Sequence, residues 1–249
     1  MNKFTGMVRR CVDDYSMICD GDNIAVAVSG GKDSLAMLCA LANLRKFYPK
    51  HFELCAVTLD MGFAGMDFTP VRTLCDELDV PYTVEKRDLA RVIFEDRLEK
   101  NPCALCSKMR RGALNDLIRS LGVSKIALAH HFDDAIETFL LSLLYEGRIN
   151  CFQPVTYMSR AGVTQIRPLL YVSENSIDAL ANKYSLPVVR NLCPMNGESK
   201  REEIKSLIKS LSATYPGLRT KVFGAMQRLP LEGWQTLRED SGPGASEKR

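Results

Sequence analysis

The stretch Asn23-Ile24-Ala25-Val26-Ala27-Val28, followed by Ser29-Gly30-Gly31-Lys32-Asp33-Ser34, decides the fold. Asn23 to Val28 reads as a short buried strand, Ser29 to Ser34 as a turn, and Leu35 to Phe47 as a helix. Strand, glycine turn and helix form a geometry that binds phosphate. Gly30 and Gly31 let backbone amides approach the oxygens, and the helix N-terminus adds oriented N–H groups and partial positive charge. Ser29 and Ser34 supply hydroxyls and Lys32 a charge. The spacing is not that of the G-x-x-x-x-G-K-[ST] loop. A bare Gly-Gly would read as a structural turn; the full string between strand and helix points to a phosphate ligand.

Outward from this turn the chain alternates. An amphipathic helix carrying Phe4, Met7, Val8, Cys11, Val12 and Tyr15 opens it. After the turn come a strand at Glu53–Leu59 and a helix from Thr69, with Thr69 as capping hydroxyl and Pro70 in the first turn. A strand at Tyr82–Val84 and a helix at Asp88–Glu99 follow, then a helix at Cys106–Leu121, a strand at Lys125–Ala129 and a helix at Asp134–Tyr145. This order predicts an α/β fold, a doubly wound parallel sheet of Rossmann-like type. Beyond Gly147 the pattern changes. A hairpin (Phe152–Tyr157 with Val163–Arg167), a helix (Ser173–Tyr184), a short strand (Val188–Arg190) and two helices (Ser199–Leu211, Leu218–Leu229) are expected. The expected division is an N-terminal helix over 1–21, one domain over 22–230 ending in a helical extension, and a disordered tail over 231–249.

Composition narrows the function classes. The 249 residues are 46% hydrophobic and 25% charged, ordinary for a soluble domain, and the net charge of +3 neither demands nor excludes nucleic acid. No run of about 18 apolar residues occurs and the first residues have no signal-peptide core, so no membrane partner and a cytoplasmic location are expected. Nine cysteines without an export signal imply a reducing compartment, where thiols stay free or hold metal.

Cys103-Ala104-Leu105-Cys106 is the one C-x-x-C, at a loop-to-helix junction. A thiol–disulfide pair or half a zinc site is the alternative use, but no second pair completes a Cys₄ zinc site. Cys193, in Asn191-Leu192-Cys193-Pro194, is the best third partner. Cys39, Cys55 and Cys75 fall on expected core faces, Cys11 and Cys19 read the same way, and Cys151 is undecided.

With these residues the chain resembles the TtcA/TtuA family of tRNA 2-thiolation enzymes, within the PP-loop ATP-pyrophosphatase superfamily. The resemblance runs through SGGKDSL, CALCSKMRRG, IALAHHFDDAIETFL, IRPLLY, NLC and YPGLRTKVFGAMQ, from about Asp22 to Arg228. It is closer to the TtcA branch, since the extra terminal cysteine pairs of TtuA are lacking. The resemblance implies an adenine nucleotide alpha hydrolase-like PP-loop fold. It also implies ATP with Mg²⁺ and a [4Fe–4S] cluster on Cys103, Cys106 and Cys193. The reaction implied is adenylation of the C2 oxygen of a tRNA cytidine (position 32), followed by displacement of AMP by sulfur. A tRNA partner, a sulfur donor (cysteine desulfurase or sulfide) and a homodimer follow from the same resemblance. LDMGFAGMDFTP and PMNGESKREEIK depart from the family pattern.

Other candidates flank these motifs. His130 and Asp134 follow the fourth strand, at the carboxyl edge where doubly wound sheets bind ligands, and can bind Mg²⁺ or move protons; helix capping by Asp133 is the competing use. Asp60 ends the second strand, near where the family holds adenosine, or simply makes a turn. Lys108, Arg110, Arg111 and Arg167 are candidate contacts to RNA, against a solvated face; Lys200-Arg201 reads as solvated. Lysidine synthesis also adenylates a cytidine C2 oxygen but has no use for three cysteines. A nucleotide-binding iron–sulfur sensor without thiolation activity is the reading from another class.

Overall fold

The computed structural model describes residues 1–97, 102–195, 200–229 and 234. Among them a six-stranded sheet runs β3-β2-β1-β4-β6-β5. Its strands are β1 (Asp22–Ala27), β2 (Phe52–Asp60), β3 (Tyr82–Lys86), β4 (Lys125–Ala127), β5 (Val155–Met158) and β6 (Val163–Ile166). All neighbours are parallel except the β5–β6 hairpin. Near-continuous burial of Ile24, Ala25, Val26, Ala56 and Val57 is what a sheet covered on both faces requires.

The order fixes where a ligand can sit. The chain leaves β1 through α2 (Lys32–Arg45), steps outward through β2, α3 (Thr69–Glu77) and β3, then returns to the other side of β1 through α4 (Leu89–Arg91) and α5 (Pro102–Ser120). β1 and β4 are therefore a topological switch point, and the crevice at their carboxyl ends lies between diverging connections. The phosphate turn follows β1; His130 to Asp134 follow β4 and open α6 (Phe132–Tyr145). α2 is buried on nearly every side from Ser34 to Leu44, between the sheet, α1 (Asn2–Asp14) and α7 (Glu174–Lys183). Helices α8 (Lys200–Thr214) and α9 (Leu218–Arg228) pack on α6.

Several expectations are corrected. Thr69 is not a cap: the helix starts there after Phe68, and Asp67 Oδ1 accepts the Thr69 N–H instead, at 2.8 Å. Residues 92–96 wind into a π-turn rather than continuing an α-helix, and the rest of the expected helix, with the Asn101 break, lies outside the described residues. Val188–Arg190 joins no sheet; Val188 N–H bonds back to Leu186 C=O at 2.8 Å, and Val189 N–H crosses to Gly30 C=O at 2.9 Å. α5 begins at Pro102, so Cys103 and Cys106 lie in its first turns. Cys19 is exposed and Cys55 half-buried, whereas Cys11, Cys39 and Cys75 are core; all nine thiols are free.

The tail expected over 231–249 lies outside the described residues except at Trp234. That side chain is 1% exposed. Its ring meets Phe223 edge-on at 5.4 Å and its Nε1–H donates to Phe152 C=O at 2.9 Å. Trp234→Ala is therefore expected to cost about 3–5 kcal/mol in urea unfolding, as burial of a large aromatic dictates. A cost below about 1 kcal/mol would mean that the indole is not seated there.

Candidate active site

The turn after β1 is wound around Ser34. Its Oγ donates to Gly31 C=O at 2.8 Å and accepts the Ser29 N–H at 3.1 Å. Ser29 Oγ lies 3.3 Å from it and accepts the Gly31 N–H at 3.4 Å. Gly30 has φ +83°, and a Cβ built there would stand 2.8 Å from Val189 Cβ. Only glycine meets both conditions. Gly31 is different: it is the N-cap of α2 with φ −76°, and an added Cβ would touch only Ser29 Oγ, at 3.5 Å. Its side faces the space in front of the helix N-terminus.

Charged groups crowd that space. Lys32 Nζ donates to Asp178 Oδ1 at 2.5 Å and Glu174 Oε1 at 3.2 Å on α7. Burial works against its charge, but these two bonds outweigh it and raise its pKa. Lys205 of α8 holds Glu174 from the other side at 3.4 Å. Asp33 carries a raised pKa, from burial first; His131 and Lys32 oppose it, and Asp134 and Glu174 add to it. Its Oδ1 is buried without a hydrogen-bond partner.

The α6 cap is made by His131, not Asp133. His131 Nδ1 accepts the Asp133 N–H at 3.2 Å, and Asp134 Oδ2 accepts the His131 N–H at 3.0 Å, closing a capping box. Asp133 turns inward instead, accepting the Glu174 N–H at 2.8 Å and pairing with Arg219 of α9. Asp134 presents its other oxygen to Arg201 Nη1 at 3.0 Å. Arg201, expected to be solvated, also holds Glu137 at 3.1 Å and Thr138 at 3.2 Å. Glu137 is a site group the sequence reading missed. It stands three residues after Asp134, on the same face of α6, and that spacing was the available signal. Burial pushes its carboxyl up to about 7, against Lys205 and Arg201.

The remaining candidates divide. Asp60 Oδ1 accepts the Gly62 N–H at 2.9 Å, a strand-end turn. Lys108, Arg110 and Arg111 lie on the α5 helix, where Lys108, Arg110 and Arg111 are exposed. Arg167 is not on the surface: it is 6% exposed and bonds only neutral acceptors, among them Thr156 Oγ1 at 3.2 Å and Gln165 Oε1 at 3.3 Å. His130 is largely buried, its ring 4.8 Å from Phe152; burial, then Arg167, push its pKa down to about 4.

The three cysteines come from two parts of the chain. The segment bonded to Gly30 through Val189 continues past Leu192, whose Cδ1 lies 3.6 Å from the Cβ position of Gly65, to Cys193. Burial raises the Cys106 thiol; Arg110 opposes it, and Cys193 and Cys103 push it further up. Cys106 thus feels both other thiols, across 87 residues of chain to Cys193. As soft donors they suit an iron–sulfur cluster. Among the described residues no three His, Cys, Asp or Glu side chains stand at metal-holding distances, so the set is a neighbourhood rather than a closed cage. Mg²⁺ needs no such cage, since it takes one or two carboxylates plus phosphate and water, and the unpartnered Asp33 Oδ1 beside Asp134 fits that use.

Residues 5–209 match the PP-loop domain family. The tRNA-cytidine(32) 2-sulfurtransferase of Shewanella sp. (strain ANA-3) is 36% identical over 233 residues, 91% of this chain and 75% of the relative. The same-named protein of Paraburkholderia phymatum is 37% identical over 224 residues, 89% of this chain and 67% of that one. The chain belongs to the PP-loop family, with these sulfurtransferases. Its fold is also that of the U34-tRNA thiolase NcsA from Methanococcus maripaludis, solved with its [4Fe-4S] cluster: TM-score 0.75, 23% identity, 92% of this chain and 78% of that one.

As a PP-loop protein the chain is expected to separate its two glycines by experiment. Gly31→Val should leave the fold intact and weaken ATP about ten- to a hundredfold in calorimetry, the effect of losing charge-assisted amide contacts worth about 1.5–3 kcal/mol. Gly30→Ala should instead cost about 1–3 kcal/mol of stability. Equal ATP affinity in Gly31→Val and wild type would remove the phosphates from this turn. His130 gives a pH signature. Its folded pKa of about 4 lies below the ordinary 6.5, so the unfolded chain binds the extra proton between them. Its contribution to stability is complete above about 6.5 and is lost as pH falls towards 4. His130→Asn should therefore flatten the stability profile over that window in urea titrations.

Proposed function

We propose that this chain is an ATP-dependent tRNA sulfurtransferase that replaces the C2 oxygen of a cytidine, at position 32, by sulfur. The observation that carries the reading is the Val189–Gly30 bond: the segment that delivers Cys193 to Cys106 is tied to the phosphate turn itself. Activation and sulfur delivery then belong to one site.

ATP would lie with its phosphates on the amides of Gly30, Gly31 and Lys32 at the α2 N-terminus, with Ser29 and Ser34 as hydroxyl donors. Lys32 keeps its charge through Glu174 and Asp178 and so faces the phosphates as a cation. Asp33, whose Oδ1 is unpartnered, and Asp134 are the carboxylates that would hold Mg²⁺. The pyrimidine C2 oxygen attacks the α-phosphorus, and pyrophosphate leaves. A sulfur nucleophile then adds at C2, and AMP departs with the former carbonyl oxygen. Adenylation is what makes that oxygen a leaving group. Glu137, poised near neutral pH and bonded to the same arginine as Asp134, is the group placed to exchange a proton there. Cys103, Cys106 and Cys193 would hold a [4Fe–4S] cluster, which supplies an iron position free to present sulfide.

Further proposals are sulfide or a cysteine desulfurase as donor, two copies per particle, and a cytoplasmic location. Among the described residues no helix is long and apolar enough to cross a membrane.

The product identifies the reaction. Incubated with Mg²⁺-ATP, sulfide and unmodified tRNA, cluster-loaded protein should release AMP and pyrophosphate in a tRNA-dependent manner. ADP as the sole nucleotide product would refute adenylation.

A further inference from the structure

A cleft of about 500 Å³ opens between α5 and the β5–β6 hairpin, lined by Ser107, Arg110, Asn115, His130, Phe152 and Arg167 among others. Nothing in the phosphate turn or the cysteine set accounts for it. Its walls come from the two halves of the chemistry. On one side is His130, just before the α6 cap and within electrostatic reach of Asp134 and Arg201. On the other are Ser107 and Arg110, one and four residues after Cys106.

At its inner end is a group with an unmet need. Arg167 is a buried guanidinium with no carboxylate partner among the described residues. Its Nη atoms are bonded to Gln153 C=O, Thr156 and Gln165, but its Nε–H is buried without an acceptor. Its charge survives burial, since the pKa falls only to about 10. Burying an uncompensated cation is costly, and a missing hydrogen bond adds to that cost. The second unpartnered atom is Nδ1 of His130, a neutral imidazole at pH 7. Phe152 provides an aromatic wall, with the Arg167 guanidinium carbon 5.0 Å from its ring centre.

We propose that this cleft is the seat of the substrate base: a single unstacked cytosine, its N3 acceptor turned to the free Nε–H of Arg167 and its exocyclic amino group to the unpartnered Nδ1 of His130, which leaves the C2 oxygen free to face ATP. The inference rests on the thiolation reading and adds where the base goes. Proteins read RNA sequence from unstacked bases, held by stacking and by hydrogen bonds to their edges. A pyrimidine between the α6 cap and the cysteine helix has its C2 oxygen towards ATP and the same carbon towards sulfur, as a two-step exchange at one atom demands. Arg110 and Arg111, exposed on α5 beside the cleft, then lie where the flanking phosphates pass.

The test uses full-length, unmodified tRNA carrying the fluorescent analogue pyrrolocytidine at position 32, titrated with the whole protein. Wild type should change the emission on binding, as the base leaves its stack. Asn115→Trp, which fills the cleft from the half-buried side of α5, and Arg167→Gln should abolish that change. They should also weaken tRNA binding about tenfold, the scale of one lost base contact. Arg119→Ala, an exposed α5 residue paired with Asp116, should match wild type. Asn115→Trp must retain wild-type ATP affinity and melting temperature, which keeps misfolding apart from a blocked cleft. If folded Asn115→Trp gives the full emission change and thiolates tRNA at the wild-type rate, the base sits elsewhere while the thiolation reading stands. If wild type neither releases pyrophosphate with tRNA nor thiolates it, that reading falls and takes the base seat with it.

Discussion

The hydrogen bond from Val189 N–H to Gly30 C=O holds together parts of the chain 159 residues apart in sequence. It is possible because Gly30 adopts φ +83° and carries no Cβ where Val189 packs. The segment after α7 is tied to the turn at Val189, and it continues to Cys193. With the approach of Leu192 to Gly65, this contact relates the segment that carries Cys193 to the phosphate turn.

Around that contact the site is a network of opposed charges. Lys32, Arg201, Arg219 and Lys205 face Glu174, Asp178, Asp133, Asp134 and Glu137. Asp133 and Glu137 are buried, and their pairs with Arg219 and Arg201 offset part of the cost of desolvating them. In the proposed reaction a nucleotide with Mg²⁺ would bring both signs of charge and exchange partners with this network: phosphate for the carboxylates at Lys32, and metal for Arg201 at Asp134. Arg167 stands outside the exchange, its charge unneutralised, which is why the cleft beside it reads as a place for substrate.

Much of this was legible in the sequence. Alternating apolar strands and helices gave the parallel sheet, and SGGKDS between strand and helix gave the turn. The C-x-x-C with Cys193 named a thiol set; the charges of Cys103 and Cys193 reach Cys106, but among the described residues no metal-holding cluster is closed. What stayed hidden depends on contacts between distant segments. Val188–Arg190 has the composition of a strand, yet no sheet edge reaches it. Arg201 looked solvated because its partners, Asp134 and Glu137, lie more than 60 residues earlier. Arg167 sits in a motif with no periodicity to distinguish a buried guanidinium from an exposed one. Asp133 and His131 exchanged the expected capping role because Arg219, from the last helix, draws Asp133 inward. Trp234 stands alone in a polar stretch, and nothing local marks it as core.

The central claim is that Cys103, Cys106 and Cys193 serve the phosphate turn as one unit. Its most direct measurement is the iron and sulfide content of anaerobically purified Cys193→Ala beside Cys151→Ala, with ATP affinity measured on both. Cys151 is a fair comparison, since its half-buried thiol bonds Ala135 C=O at 3.4 Å and is pushed up to about 12 by burial. The account predicts that Cys193→Ala loses the cluster and keeps ATP binding, while Cys151→Ala keeps both. A full complement of iron and sulfide in Cys193→Ala, with loss in Cys151→Ala, would contradict it.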